Sequence, residues 1–182
     1  MIRSTLAAAI PLLLCACQAA PGRPGGIGEE GIVRQAGSWT LLHYTMAFDA
    51  SGVVGGMRDL VAAGQASIGK KEFGGPLCLS AVQATQDNPA ARLAEAVRLG
   101  PEWKIIRSKV TDGTAEFAAS MDDPKLGRGT IIITGTISPT TTDLLVTTDS
   151  FEPAPGKGHI HTVMKQENTR VGDCTAGQAP WL

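Results

Sequence analysis

From Trp103 to Asn168 the chain is a series of short pieces separated by clusters of turn-forming residues, and in the clearest of them apolar and polar residues alternate. A period of two sends successive side chains to opposite faces of an extended strand, so such pieces build a sheet with one face turned inward. Ala115, Phe117, Ala119 and Met121 take one face while Glu116 and Ser120 take the other, and Ile131, Ile133 and Ile137 oppose Thr130, Thr134 and Thr136. Thr111-Asp112-Gly113-Thr114 is a hairpin signal, Ser138-Pro139-Thr140-Thr141 a second turn, and Pro153-Ala154-Pro155-Gly156-Lys157-Gly158 a longer loop. The predicted strands are 103–110, 115–121, 129–137, 143–150 and 159–168, an order that builds an antiparallel meander.

Upstream, Trp39 to Phe48 also alternates, with Leu42, Tyr44, Met46 and Phe48 on one face and Trp39, Leu41, His43 and Thr45 on the other. Apolar groups on both faces call for cover on each side. Between Gly55 and Lys70 the period becomes helical, with Met57, Leu60, Val61 and Ile68 near one stripe and Gly64 weakening it. A stronger helix is predicted from Asn88, a cap, through Pro89 in the first turn to Gly100 at the end, burying Leu93, Ala94, Val97 and Ala90. The predicted fold class is therefore α+β: a twisted, curved antiparallel β-meander of about five to six strands with one or two helices packed on it. Residues 37–182 suffice for one core, so a single globular domain is expected there.

The first residues carry an address. Arg3 is a short basic start, Leu6 to Leu14 an apolar run broken by Pro11, and Leu14-Cys15-Ala16-Cys17 reads as a lipobox. The run is too short to span a bilayer, while the small residues Ala16, Ala19 and Ala20 leave ordinary secretory cleavage as an alternative. The expectation is a signal peptide over 1–16, lipidation of Cys17, and a Pro- and Gly-rich tether over 17–36. Several acyl chains anchor a protein stably. Gln18 after the acylated cysteine points to the outer membrane, on the periplasmic side of a bacterial envelope.

Cleavage would change two tallies together. Sixteen Lys and Arg face seventeen Asp and Glu, and loss of Arg3 leaves fifteen, a mature charge of about −2. That balance implies neither nucleic acid nor an anionic lipid surface as partner. Of four cysteines, Cys15 goes with the signal and Cys17 to the lipid, leaving Cys78 and Cys174. In an oxidising compartment these read as a disulfide joining mid-chain to its end. The alternative, a reactive thiol pair, lacks a Cys-x-x-Cys spacing.

Gly37-Ser38-Trp39 on the first strand, Cys78-Leu79-Ser80 leading towards a helix, and Arg170-Val171-Gly172-Asp173-Cys174 near the end resemble the domain-of-unknown-function 3617 family over most of Gly37 to Cys174. The resemblance implies a secreted domain of this fold and brings no assigned activity. Members usually carry a second cysteine pair mid-domain, absent here, which leaves Cys78 and Cys174 to pair.

Candidate chemistry is sparse. His159 and His161 are two apart on one strand and so share a face, and His43 would lie nearby if the terminal strands pair; three neutral imidazoles would suit zinc or copper. The plainer reading is two histidines on a solvent face, with Ile160, Thr162 and Met164 alternating inward. Ser38, Ser80 and Ser120 lack a nucleophile elbow, which argues against a hydrolase. Glu29 and Glu30 read as solvated charges in the tether, and Asp122-Asp123, and Asp149 near Glu152, as turn residues without a calcium-loop pattern. No catalytic residue and no cofactor is expected, and binding is favoured over catalysis. Two forms of binding stay open. In one, Leu42, Tyr44, Met46, Phe117 and Ile133 wall a cavity for an apolar ligand. In the other, the outer surface meets an envelope protein, with Trp103 and Trp181 as contacts if exposed.

Overall fold

The alternating stretch forms the meander its period requires, and the first strand closes beside the last. The computed structural model describes residues 32–53, 58–97, 99–125, 127–151 and 158–181. Residues 1–16, Cys17, Glu29, Glu30, Met57, Glu152 and the loop from Pro153 to Lys157 lie outside them, as does the side chain of Ala94. In chain order the elements are β1 (Gly37–Ser51), α1 (Arg58–Ser67), β2 (Lys71–Leu79), α2 (Ala81–Gln86), α3 (Pro89–Ala96), β3 (Lys104–Thr111), β4 (Thr114–Asp123), β5 (Gly127–Ile137), β6 (Thr141–Phe151) and β7 (His159–Gly172). All seven strands join one antiparallel sheet in the order β2-β1-β7-β6-β5-β4-β3.

The sheet has one strand more than the upper expected count, and the addition is β2. Its sequence, Lys71-Glu72-Phe73-Gly74-Gly75-Pro76-Leu77-Cys78-Leu79, carries three residues that weaken a strand. A proline inside a sheet is tolerated where its missing donor faces no neighbour, and β2 is an edge.

Register decides the two faces. Phe117, Ile133, Val146, Met164 and Thr45 lie on one line across β4, β5, β6, β7 and β1, and so share a face. Here Phe117 and Ile133 are buried with Leu93 and Ala90 of α3 lying over them, joined by Val110, Ile131, Ile137, Leu144 and Val146. The Asn88 side chain accepts from Ala91 N at 3.1 Å, the expected cap. The helix ends at Ala96, short of Gly100. Trp103 packs over Gly129 on the edge of this core, where a Cβ would meet its ring at 2.8 Å.

α1 departs from its expected role. It contains no buried residue, and Leu60 and Ile68 are both largely exposed. What it contributes is a close approach: Gly64 rests on the Phe48 ring, which leaves no room for a Cβ. The glycine that weakens the helix is what allows it to sit on β1.

A second cluster closes the far end of the sheet. Trp39, Leu79, Ala84 of α2 and Trp181 are buried together. α2 adds a helix to those expected, and Ser80 and Gln83 form a full capping box at its start. Residues 32–36, just before β1, also pack onto the sheet. Arg34 is buried, Gln35 N donates to Pro139 O at 2.8 Å, and Arg170 Nε donates to Ala36 O at 2.8 Å. The three sequence segments Gly37-Ser38-Trp39, Cys78-Leu79-Ser80 and Arg170 to Cys174 meet here, with Ser38 opposite both Cys78 and Gly172. Cys78 and Cys174 are bonded, with Cα atoms 5.3 Å apart across a separation of 96 residues.

Truncation of Phe117 to Ala is expected to cost about 3–5 kcal/mol, whereas the same change at Phe73, 77% exposed, should cost less than about 1 kcal/mol. Denaturant melts of both variants check this. Replacing Cys78 and Cys174 by Ser should lower stability by about 2–5 kcal/mol, since the bond closes a long loop in the unfolded chain.

Candidate functional site

The polar cluster that the fold builds lies on the face opposite the helices, where β6 meets β7. Phe151 pairs with His159 and Asp149 with His161 across a hairpin whose strands are held in fixed register. A side chain on every second residue then brings Asp149, Phe151, His159 and His161 to one face. Asp149 Oδ1 stands 2.8 Å from His159 Nε2 and 2.9 Å from His161 Nδ1. A carboxylate only accepts, so the ring nitrogens that face it carry the protons. In the neutral rings the lone pairs fall on His159 Nδ1 and His161 Nε2.

The Asp149 carboxyl is held below its ordinary range, first by the hydrogen bond from His161 and then, against partial desolvation, by that from His159. Phe151 stacks on the His159 ring at 4.4 Å and 11°, and the Arg128 guanidinium lies 5.5 Å from the Phe151 ring. Arg128, Phe151 and His159 therefore form a graded stack from cation to imidazole, with Asp149 fixing its inner end. A carboxylate that orients two imidazoles can present them to a hydrogen-bond donor or a metal. Among the described residues, however, no group of three or more His, Cys, Asp or Glu is placed to hold a metal ion.

His43 does not join the pair. It faces Gln166 and Glu72 on the helix-bearing side of the sheet, with its Nε2 2.9 Å from Glu72 Oε2 at the surface. The terminal strands do pair, but His161 meets Asp49 and His159 meets Ser51, six and eight residues further along β1 than His43.

The five residues expected to wall a cavity are divided by the sheet. Phe117 and Ile133 are buried in the core under α3, while Leu42 and Tyr44 align with Glu167 and Lys165 on the open face. Met46 belongs to neither: it is the extra residue of a bulge between Thr45 and Ala47, and is half exposed. The bulge also returns Phe48 to the core face, which strict alternation had placed with Leu42.

Around Leu42 and Tyr44 the open face carries Val163, Leu145, Ile132 and Ala118, and no described element crosses it. Ile132 is 47% exposed. Charges border this strip: Lys71 lies 5.5 Å from the Tyr44 ring, Lys165 pairs with Asp143, and Arg107 pairs with Glu116 at 2.8 Å. Asp143 raises the Lys165 ammonium above its ordinary range.

The remaining candidates serve the fold. Ser38 accepts from Gln178 Nε2 at 2.7 Å, Ser80 caps α2, and Asp123 accepts from Lys125 N at 2.7 Å in a turn. Trp103 and Trp181 are packed, so neither is an exposed contact. Asp149, expected as a turn residue, lies within β6 opposite His161, and the equal spacing of the two from position 155 is the sequence signal for that pairing. No helix among the described residues is long and apolar enough to cross a membrane. No family model matches the chain, and no curated protein or solved structure matches it either.

A depressed carboxyl stabilises the fold above its unfolded pKa of about 3.9 and loses that contribution as pH falls through its lower folded value. Asp149→Asn should therefore be less stable than the wild type at pH 7, and the difference should shrink as pH falls below the ordinary carboxylate range. Thermal melts across that range give the answer.

Proposed function

We propose that this protein is a lipid-anchored component of the bacterial envelope, facing the periplasm, that works by binding a protein partner on the open face of its sheet. The carrying observation is the division of apolar groups between the two faces. Phe117 and Ile133 are filled in by α3, whereas Leu42, Val163, Leu145, Ile132 and Ala118 form an apolar strip with no described cover. Apolar groups assembled on one face and bordered by charge are the usual composition of a protein-binding surface. A packed core beneath α3 favours this over an apolar ligand held between sheet and helices.

The lipobox ending at Cys17 supports the anchor, and the Cys78–Cys174 disulfide supports an oxidising compartment. Membership of the domain-of-unknown-function 3617 family is part of the proposal, supported by the convergence of its three quoted segments at one end of the sheet. An anchor raises the effective concentration of a binding surface near other envelope proteins.

A photo-crosslinking residue at Ile132 of the full, lipidated chain in cells tests the reading. The expected result is one discrete protein adduct, reduced at least about tenfold by Val163→Glu on the same line of the sheet. An adduct to lipid alone, or no adduct, would overturn it.

A further inference from the structure

Arg34 lies on the segment that leads into β1 and is 5% exposed. Its guanidinium carbon is 5.7 Å from the Trp39 ring and 5.6 Å from the Trp181 ring, and the two indoles meet edge to face at 5.8 Å and 64°. Asp87 closes the site from between α2 and α3, with its side chain wholly buried and its Oδ2 3.5 Å from Arg34 Nε. Two aromatic faces and a buried carboxylate are the recognition chemistry of an organic cation.

The walls are held by contacts in which Arg34 takes no part. Trp181 is fastened to β2 and α2, its N donating to Cys78 O at 2.7 Å and its O accepting from Gln83 Nε2 at 2.9 Å. The disulfide secures the segment just before it. Asp87 Oδ1 accepts from Arg92 Nε at 3.2 Å. Arg34 is held by charge and ring contacts: neither its Nε nor the facing Asp87 Oδ2 makes a hydrogen bond among the described residues. The pair attract as charges without the two-pronged contact that arginine makes with carboxylates in tight pairs.

We infer that Trp39, Trp181 and Asp87 form a binding site for a guanidinium group, which the chain fills with its own Arg34. The ligand class is the arginine side chain of a peptide, and the group in competition with it is the Arg34 side chain alone, since the backbone around it stays bonded through Gln35 to Pro139 and Trp39 and through Ala36 to Arg170. This stands apart from the reading of the open face, because the site lies on the other side of the sheet.

Full-length Arg34→Ala protein with ethylguanidinium as probe tests the inference. Guanidinium compounds ordinarily weaken folded proteins, so wild-type protein, its site filled, should show a falling thermal midpoint across millimolar probe. The Arg34→Ala protein should show the opposite sign: a saturable rise in midpoint with a matching change in tryptophan fluorescence, and half-saturation at least about tenfold below any effect on the wild type. If the variant does not fold alone, refolding in the probe should restore its native circular dichroism, and sodium chloride at equal concentration should not. A midpoint that falls as in the wild type, or refolding that the probe does not improve, would overturn the inference.

Discussion

Asp87 is a carboxylate with no exposed side-chain surface, and burying such a charge is costly unless positive charge is brought in with it. Two arginines meet it, Arg92 from the α3 that follows and Arg34 from the segment that precedes the sheet. Arg34 lies deep enough that desolvation lowers its pKa against the pull of Asp87. It can lie there because Trp39 and Trp181 cover it, and Trp181 can cover it only because the last residues return along β2. The need to compensate one buried charge thus ties four remote pieces of chain: the entry segment, β1, the junction of α2 with α3, and the carboxyl-terminal tail. The disulfide at Cys174 shortens the path by which that tail finds its place.

The two halves of the sheet are stabilised in different ways. From β3 to β6 the ladder pairs consecutive strands through short turns, and the apolar line through Phe117 and Ile133 is covered by α3. β1 pairs with β7, far away in sequence, and its bulge at Met46 reverses which residues face the core. A bulge adds twist and lets a long strand follow a curved partner. At Gly135, φ is +154° and a Cβ would run into the Asp143 carbonyl, so β5 and β6 come closer there than any side chain would permit.

These differences explain what could be read in the sequence. The strands β3 to β7 are local, each bounded by turn chemistry, and their predicted limits fall within a few residues of the observed ones. β2 could not be recognised from propensity, since Gly74, Gly75 and Pro76 are acceptable only at an edge, and edge status is a property of the finished sheet. The cysteine pair was legible from arithmetic alone. The face assignments of Leu42, Tyr44 and Phe48 were lost to one inserted residue, because alternation carries no memory of a bulge. His159 and His161 were seen to share a face, but the carboxylate between them needed the register of β6 against β7.

The way the sheet ends also limits how a partner can approach. β3 is an open edge, yet it carries Lys104, Arg107 and Lys109 with no acidic residue, and Ile106 is extruded at a shift in register between Ile105 and Arg107. Both devices discourage an added strand. The β2 edge is interrupted by Pro76 and is occupied near Cys78 by the tail, whose Ala179 and Trp181 take up the Cys78 backbone groups. Strand addition is thus disfavoured at both edges, while the face bearing Leu42, Ile132 and the Asp149 cluster has no described element above it. On the proposed reading, a partner on this sheet would meet side chains rather than backbone, and its selectivity would come from the apolar strip and from the oriented imidazoles beside it.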